Sequence, residues 1–221
     1  MALKACLFDM DGVIVDSAVH HFVAWKRLAE ELSIPFTEED NHALKGLSRV
    51  DSLEHILRLG HMQLDEKTKV KLMDQKNAWY LDLIQGMRAE DILPGAKELI
   101  ESLVAEGIQV GLGSSSRNAQ LILDNVGLTP LFDTVVDGNH ITLSKPDPEV
   151  FLKGATALGV EPANVVVFED AASGVKAAKT GGFFAVGVGD KDQLAEADVV
   201  VDHLEGVTVD QLRTWMEHGL G

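Results

Sequence analysis

Leu7-Phe8-Asp9-Met10-Asp11-Gly12-Val13-Ile14-Val15-Asp16 carries a short apolar run into two acids and a glycine. The residues from Leu3 to Phe8 are few and mostly apolar, the pattern of a strand buried on both faces of a parallel sheet. Such a strand delivers Asp9 and Asp11 at its C-terminal end, where open α/β sheets bind their ligands. The two acids are two positions apart, so an extended backbone aims both side chains the same way. Gly12 then lets the chain turn off without a Cβ clash. Neighbouring carboxylates repel unless something holds them, and Mg2+ is a cation that takes oxygen ligands with few protein carboxylates. A carboxylate beside a phosphoryl group can act as a nucleophile, and a second acid can hold the proton that a leaving oxygen needs. A lone Asp-x-Asp is otherwise a turn with two solvated acids. The apolar strand ahead of this one shifts the reading toward a site.

The chain has 221 residues, which fits one large core plus an insertion. Its hydrophobic content of 46% is ample for a packed interior. No apolar run reaches membrane-spanning length. The first residues lead into a strand without the anatomy of a signal peptide, so a cytoplasmic address is expected. The single cysteine, Cys6, lies in the first strand and is expected to be a small buried hydrophobe. Thirty-five acids against nineteen Lys and Arg give a net charge of −16, which argues against a nucleic acid or an anionic membrane as partner. If the substrate is a phosphate, local cations must reverse that sign inside the site.

After Asp16-Ser17 the spacing turns helical. His20, His21, Phe22, Val23, Trp25, Leu28, Ala29 and Leu32 trace an amphipathic helix, and further helices are expected over 38–44, 51–59 and 66–85. No strand pattern occurs between Asp16 and Ala89. The run Asp91-Ile92-Leu93-Pro94-Gly95 marks a break before a helix over 96–106. Residues 16–92 are therefore expected to form a helical cap domain, with 1–15 and 93–221 as the core. From Gly107 strands and helices alternate: strands over 108–113, 132–137, 165–168, 183–188 and 199–201, and helices over 117–126, 147–158, 172–180 and 209–218. That alternation implies parallel strands with right-handed crossovers. The expected fold is α/β: a Rossmann-like core with a parallel sheet flanked by helices, plus an inserted all-helical cap.

Two more strand ends and one loop carry chemistry. The strand over 108–113 runs into Ser114-Ser115-Ser116-Arg117-Asn118, where hydroxyls and amides ahead of a helix make an anion site; for any single serine an N-cap is the ordinary role. In Ser144-Lys145-Pro146-Asp147-Pro148 a stiff loop can place a lysine charge on a phosphoryl oxygen, although most lysines are solvated surface groups. Val165-Val166-Val167-Phe168 ends in Glu169-Asp170. Those acids suit Mg2+ or, equally well when taken alone, a helix N-terminus. In the cap, Leu44-Lys45-Gly46-Leu47-Ser48-Arg49 supplies glycine for close backbone approach and an arginine able to grip a phosphate with two donors.

Each signal is modest alone; their order and spacing together are strong. The chain resembles the haloacid dehalogenase-like phosphotransferases along its whole length, and its cap motifs resemble the hexose-phosphate mutases of that family. The resemblance implies Asp9 as nucleophile, Asp11 as general acid/base, and Ser114 and Lys145 as stabilisers of the transferring group. It implies a Mg2+ ion held by Asp9, Glu169, Asp170 and the backbone carbonyl of Asp11. It implies that Arg49, Ser116 and Asn118 grip a distal phosphate. His21, Trp25, Lys45, Gly46, Leu47, Ser52 and Lys76 would shape the cap side of the pocket, with Ser48, Ser115 and Arg117 completing the binding set. Three positions depart from the family habit: Ser115 where Ala is frequent, Arg117 where Lys is common, and Leu47 where Val is frequent. The reaction implied is interconversion of β-D-glucose 1-phosphate and β-D-glucose 6-phosphate, with β-D-glucose 1,6-bisphosphate as activating intermediate. Small sugar phosphates are then the partners, and a monomer is expected. The alternatives are a sugar-phosphate phosphatase using the same aspartyl-phosphate, and a non-catalytic sugar-phosphate-binding protein. Loss of Asp9 or Asp11 would mark the latter, and both are present.

Overall fold

The structure, a computed structural model, describes residues 2–218. Six strands form one sheet: β1 (Ala5–Phe8), β2 (Gln109–Gly113), β3 (Thr134–Val136), β4 (Val165–Glu169), β5 (Phe184–Val188) and β6 (Val199–Val201). Their order is β3-β2-β1-β4-β5-β6, and every pairing is parallel. The chain winds outward from β1 to β2 and β3, then returns to β4 on the other side of β1. The C-terminal end of β1 is therefore the switch point where such sheets open a ligand crevice.

Alternation along β1 assigns its side chains to the two faces. Cys6 and Phe8 enter one core, covered by α5 (Ala96–Ala105), α6 (Ala119–Val126) and α9 (Val209–His218). Ala5 and Leu7 enter the other, covered by α7 (Glu149–Leu158) and α8 (Ala172–Thr180). All four residues of β1 are buried, and Cys6 is a free, buried thiol.

Between β1 and α5 lie the four main helices of the cap: α1 (Ala18–Glu31), α2 (Glu38–His42), α3 (Arg49–Leu59) and α4 (Glu66–Ile84). Trp25, Leu28, Leu53 and Ile56 form its own apolar centre. Tyr80 and Ile84 of α4 reach down into the cluster beneath β1. Side-chain caps fix the helix starts at Thr37, Ser48 and Asp65. The two chain crossings to the core lie side by side: Val15 bridges Ile92, and Leu93 N donates to Ile14 O at 2.8 Å. Among the described residues, no helix is long and apolar enough to cross a membrane.

Several elements are shorter than the sequence pattern suggests. The strand begins at Ala5 rather than Leu3, α6 at Ala119 rather than Arg117, and α7 at Glu149 rather than Asp147. In the last two cases the residues released from the helix lie in loops: Arg117 and Asn118 line the site cavity, and Asp147 accepts from the Glu149 amide at the start of α7.

Candidate active site

Three strand ends and one loop converge above the sheet. Asp9 follows β1 directly, its amide donating to Phe168 O of the neighbouring β4 at 3.0 Å. Gly12 takes a left-handed φ of 79°, and a Cβ there would overlap the Asp170 carboxylate. Glycine is thus needed for both the turn and the close approach. After β2, the Ser114 amide donates to Val136 O, and Ser114 Oγ accepts from the Ser116 amide at 3.1 Å. Ser116 Oγ accepts from the Asn118 amide at 3.2 Å. These bonds curl 114–118 into a tight turn ahead of α6. Lys145 comes from the loop before α7; Glu149 fixes that loop by accepting from the amides of Thr142 and Leu143.

Lys145 is 1% exposed, yet it is charged. Its Nζ donates to Asp9 Oδ1 at 2.6 Å and to Glu169 Oε1 at 2.5 Å. Burial opposes the ammonium, but Asp9 and Glu169 outweigh it and hold the pKa above the ordinary lysine value. Burial pushes the Glu169 carboxyl up to about 8 against the pull of Lys145. Burial, then the charges of Asp9 and Asp170, raise Asp11 well above the ordinary carboxylate range against the pull of Lys145 and Lys76, which favours its protonated form. Its Oδ1 is buried without a hydrogen-bond partner among the described residues.

The donor set fits a hard divalent cation. Asp9, Glu169 and Asp170 each offer a carboxylate oxygen, and these oxygens lie within 4.8 Å of one another. Burial, and to a lesser degree the charge of Asp9, raises the Asp170 carboxyl against the pull of Lys45. Three oxygens from buried or half-buried carboxylates suit Mg2+ better than a thiolate- or imidazole-seeking metal.

The cap closes over this cluster. A cavity of about 320 Å³ lies between them, the size of a small-ligand site. Its walls include Asp9, Asp11, Ser114 and Asp170 at the core end, and Arg49, Lys76, Asn77, Arg117 and Asn118 toward the cap. Lys45 Nζ pairs with Asp170 Oδ2 at 2.8 Å; burial opposes its charge, but Asp170 keeps its pKa above the ordinary value. Asn77 Oδ1 accepts from Arg49 Nη2 at 2.7 Å and from Asn118 Nδ2 at 2.9 Å, joining two parts of the cap to the core. Lys76, 2% exposed, meets His21 Nδ1 at 2.9 Å and lies over the rings of Trp25 and Tyr80. Burial, then Arg49, lowers its pKa well below that of a free lysine. Burial, then Lys76, does the same to His21.

Nearly all the expected site residues line this one cavity: His21, Trp25, Lys45, Gly46, Leu47, Ser48, Arg49, Ser52, Lys76, Ser115, Ser116, Arg117 and Asn118 join the core acids. Lys145 and Glu169 sit behind the wall, paired to each other. Ser48 and Ser115 have their hydroxyls engaged within the protein. Ser48 Oγ donates to Asp51 Oδ2 at 2.6 Å, and Ser115 Oγ donates to Gly46 O at 3.0 Å. Asn77 and Asp51 also line the cavity, and neither is among the site residues the sequence predicts. Asn77 was visible beside Lys76, but only the helix register and the facing arginine reveal it as a bridge. Asp51 carried no signal beyond an N-terminal acid.

Residues 3–182 match the model of the haloacid dehalogenase-like hydrolase family. The chain is 43% identical over 212 residues to a β-phosphoglucomutase of Bacillus subtilis (strain 168), covering 95% of this chain and 94% of that one. It is 32% identical over 183 residues to a phosphorylated carbohydrates phosphatase of Thermotoga maritima, covering 81% and 82%. The crystal structure of a β-phosphoglucomutase from Clostridium difficile superposes with a TM-score of 0.95 at 36% identity, covering 97% of each chain.

Proposed function

Because the chain belongs to the haloacid dehalogenase-like hydrolase family, we propose that it interconverts β-D-glucose 1-phosphate and β-D-glucose 6-phosphate, the reaction of a β-phosphoglucomutase. The route is through bound β-D-glucose 1,6-bisphosphate and a phosphorylated Asp9. One observation carries this reading: the cavity draws positive charge from two sources, Lys145 of the core behind Asp9, and the guanidinium groups of Arg49 on the cap and Arg117 on the loop after β2. A hydrolase acting on a monophosphate needs only the first set; a bisphosphate needs both.

In the first half-reaction the Asp9 oxygen not held by Lys145 attacks phosphorus. The bond from phosphorus to the sugar oxygen breaks, and that oxygen takes the proton of Asp11. Burial and the neighbouring acids raise the Asp11 pKa, which favours the acid form this step uses. In the second half-reaction the Asp11 carboxylate removes a proton from the other reacting sugar hydroxyl. The resulting oxygen attacks the aspartyl-phosphate and releases Asp9. Lys145 stabilises Asp9 as nucleophile and as leaving group, and Ser114 donates to the transferring oxygens. Asp9, Glu169, Asp170 and the Asp11 backbone carbonyl are the groups that would hold Mg2+. When bound, the ion supplies positive charge against the phosphoryl oxygens and offsets the acids that surround them. The intermediate must turn end for end, which a cap hinged at Val15–Ser17 and Ala89–Pro94 permits. When shut, the same cap keeps water from the aspartyl-phosphate.

A second reading, hydrolysis of a sugar phosphate, is favoured by the likeness to the Thermotoga maritima phosphatase. One assay separates the two. With Mg2+, β-glucose 1-phosphate and a trace of the bisphosphate, glucose 6-phosphate as main product supports the mutase. Inorganic phosphate as main product replaces it with the phosphatase.

A further inference from the structure

The cap loop between α2 and α3, together with the first turn of α3, is gripped by three hydroxyls, from the loop after β2, the loop before α7 and the first turn of α8. Ser115, next to Ser114, donates to Gly46 O at 3.0 Å. Ser173, three residues after Asp170, donates to Lys45 O at 3.2 Å. Ser144, next to Lys145, donates to Asp51 Oδ2 at 2.5 Å, and the same oxygen accepts from Ser48 Oγ, the N-cap of α3. Gly46 takes a left-handed φ of 76°, and a Cβ there would overlap Ser173 Oγ. The turn thus seats its backbone directly on the core. Among the described residues no backbone amide takes the carbonyls of Lys45 and Gly46. With the cap lifted they have only water as donor.

We propose that Ser115, Ser144 and Ser173 form a clasp of positioning residues that ties closure of the cap to the placement of Ser114, Lys145 and Asp170. The clasp sets how the aspartyl-phosphate divides between sugar hydroxyl and water. None of the three donors is a metal-ligand candidate, and none of the acceptors belongs to the substrate. The contacts are made by the closed protein itself. Each of the three core segments beside Ser114, Lys145 and Asp170 has its own link to the lid, so a lid that lifts withdraws support from all three together. This division of product rests on the aspartyl-phosphate reading; the closure of the cap does not.

Ser115→Ala combined with Ser173→Ala removes two cross-links and leaves every charge in place. Both sites are half-buried and the change deletes one oxygen each, and Ser115→Ala alone serves as a second variant. Two measurements decide. The first is the ratio of glucose 6-phosphate to inorganic phosphate formed from β-glucose 1-phosphate with a trace of bisphosphate. The second is the radius of gyration by X-ray scattering, with and without the bisphosphate. Loss of two such bonds lowers the closed-to-open ratio about tenfold. The product ratio should fall by a similar factor, KM for the bisphosphate should rise more than kcat falls, and Ser115→Ala should lie between. The scattering should show a more expanded free protein. A product ratio and a radius equal to the parent's would overturn the clasp. If the parent itself releases only inorganic phosphate, the mutase reading fails, and the scattering alone then decides the clasp.

Discussion

Asp11 and Lys145 show how burial sorts the charged residues of the site. Asp11 makes no hydrogen bond through Oδ1 among the described residues, and burial, with Asp9 and Asp170 beside it, favours the protonated form that a general acid needs. Asp11→Asn keeps the backbone and removes only the transferable proton. Turnover should drop by about 10²–10⁴-fold, while Mg2+ titration by calorimetry gives parent-like affinity; a lost metal site would contradict the role. Lys145 sits between two acids that would repel each other without it. Lys145→Ala should therefore destabilise the metal-free protein by about 3–5 kcal/mol, because it strands buried carboxylates. Added Mg2+ should restore part of the loss in thermal unfolding. Asp9, Glu169 and Asp170 were legible from the sequence because acids at the end of an apolar strand have no packing role. Lys76 was not: lysines are usually solvated, and nothing in its neighbours forecasts an amine enclosed by His21, Trp25 and Tyr80.

Among the elements, the loop ahead of α7 depends on a residue with no direct part in the chemistry. Glu149 accepts from Thr142 and Leu143 and pairs with Lys153 at 2.6 Å, and these bonds hold its carboxyl down at about 2 against an ordinary 4.5. A depressed carboxylate contributes stability that is complete above its unfolded pKa and fades as pH falls through the folded one. The unfolding midpoint of Glu149→Gln should lie below the parent's at pH 5–7, and the gap should close as pH is lowered toward 2. A gap that widens on acidification would be the wrong sign. The number, type and order of elements were readable in the sequence, because buried parallel strands and amphipathic helices carry distinct periods. Boundaries were less so. Arg117, Asn118 and Asp147 fit a helical pattern, but hydrogen bonding to serines and a proline-flanked turn hold them in loops.

At the scale of the molecule, a chain of net charge −16 must hold an anionic ligand. Lys45, Arg49, Lys76, Arg117 and Lys145 cluster at one enclosed cavity, while most of the acids away from it lie at exposed positions. In water the remaining field is screened within about 10 Å at ordinary salt. Raising ionic strength should therefore alter KM only modestly, and a strong salt-dependent gain in kcat/KM would indicate that the global charge governs access. The paired crossings at Val15–Ile92 predict that the cap moves as one body. X-ray scattering should show contraction on adding the bisphosphate, and an unchanged profile together with an expanded free state would exclude closure. The cap was visible in the sequence as a helical stretch without strands; the polar seam beneath it was not, since hydroxyl-to-carbonyl contacts leave no periodic trace.

The central claim is that Asp9 takes the phosphoryl group onto itself. Rapid mixing of the protein, Mg2+ and β-glucose 1,6-bisphosphate, followed by acid quench and peptide mass analysis, tests it most directly. The account predicts one added phosphoryl group on the peptide bearing Asp9 and none in Asp9→Asn, whose turnover falls by about 10⁴-fold or more. A phosphoryl group found elsewhere, or full turnover in Asp9→Asn, would contradict it.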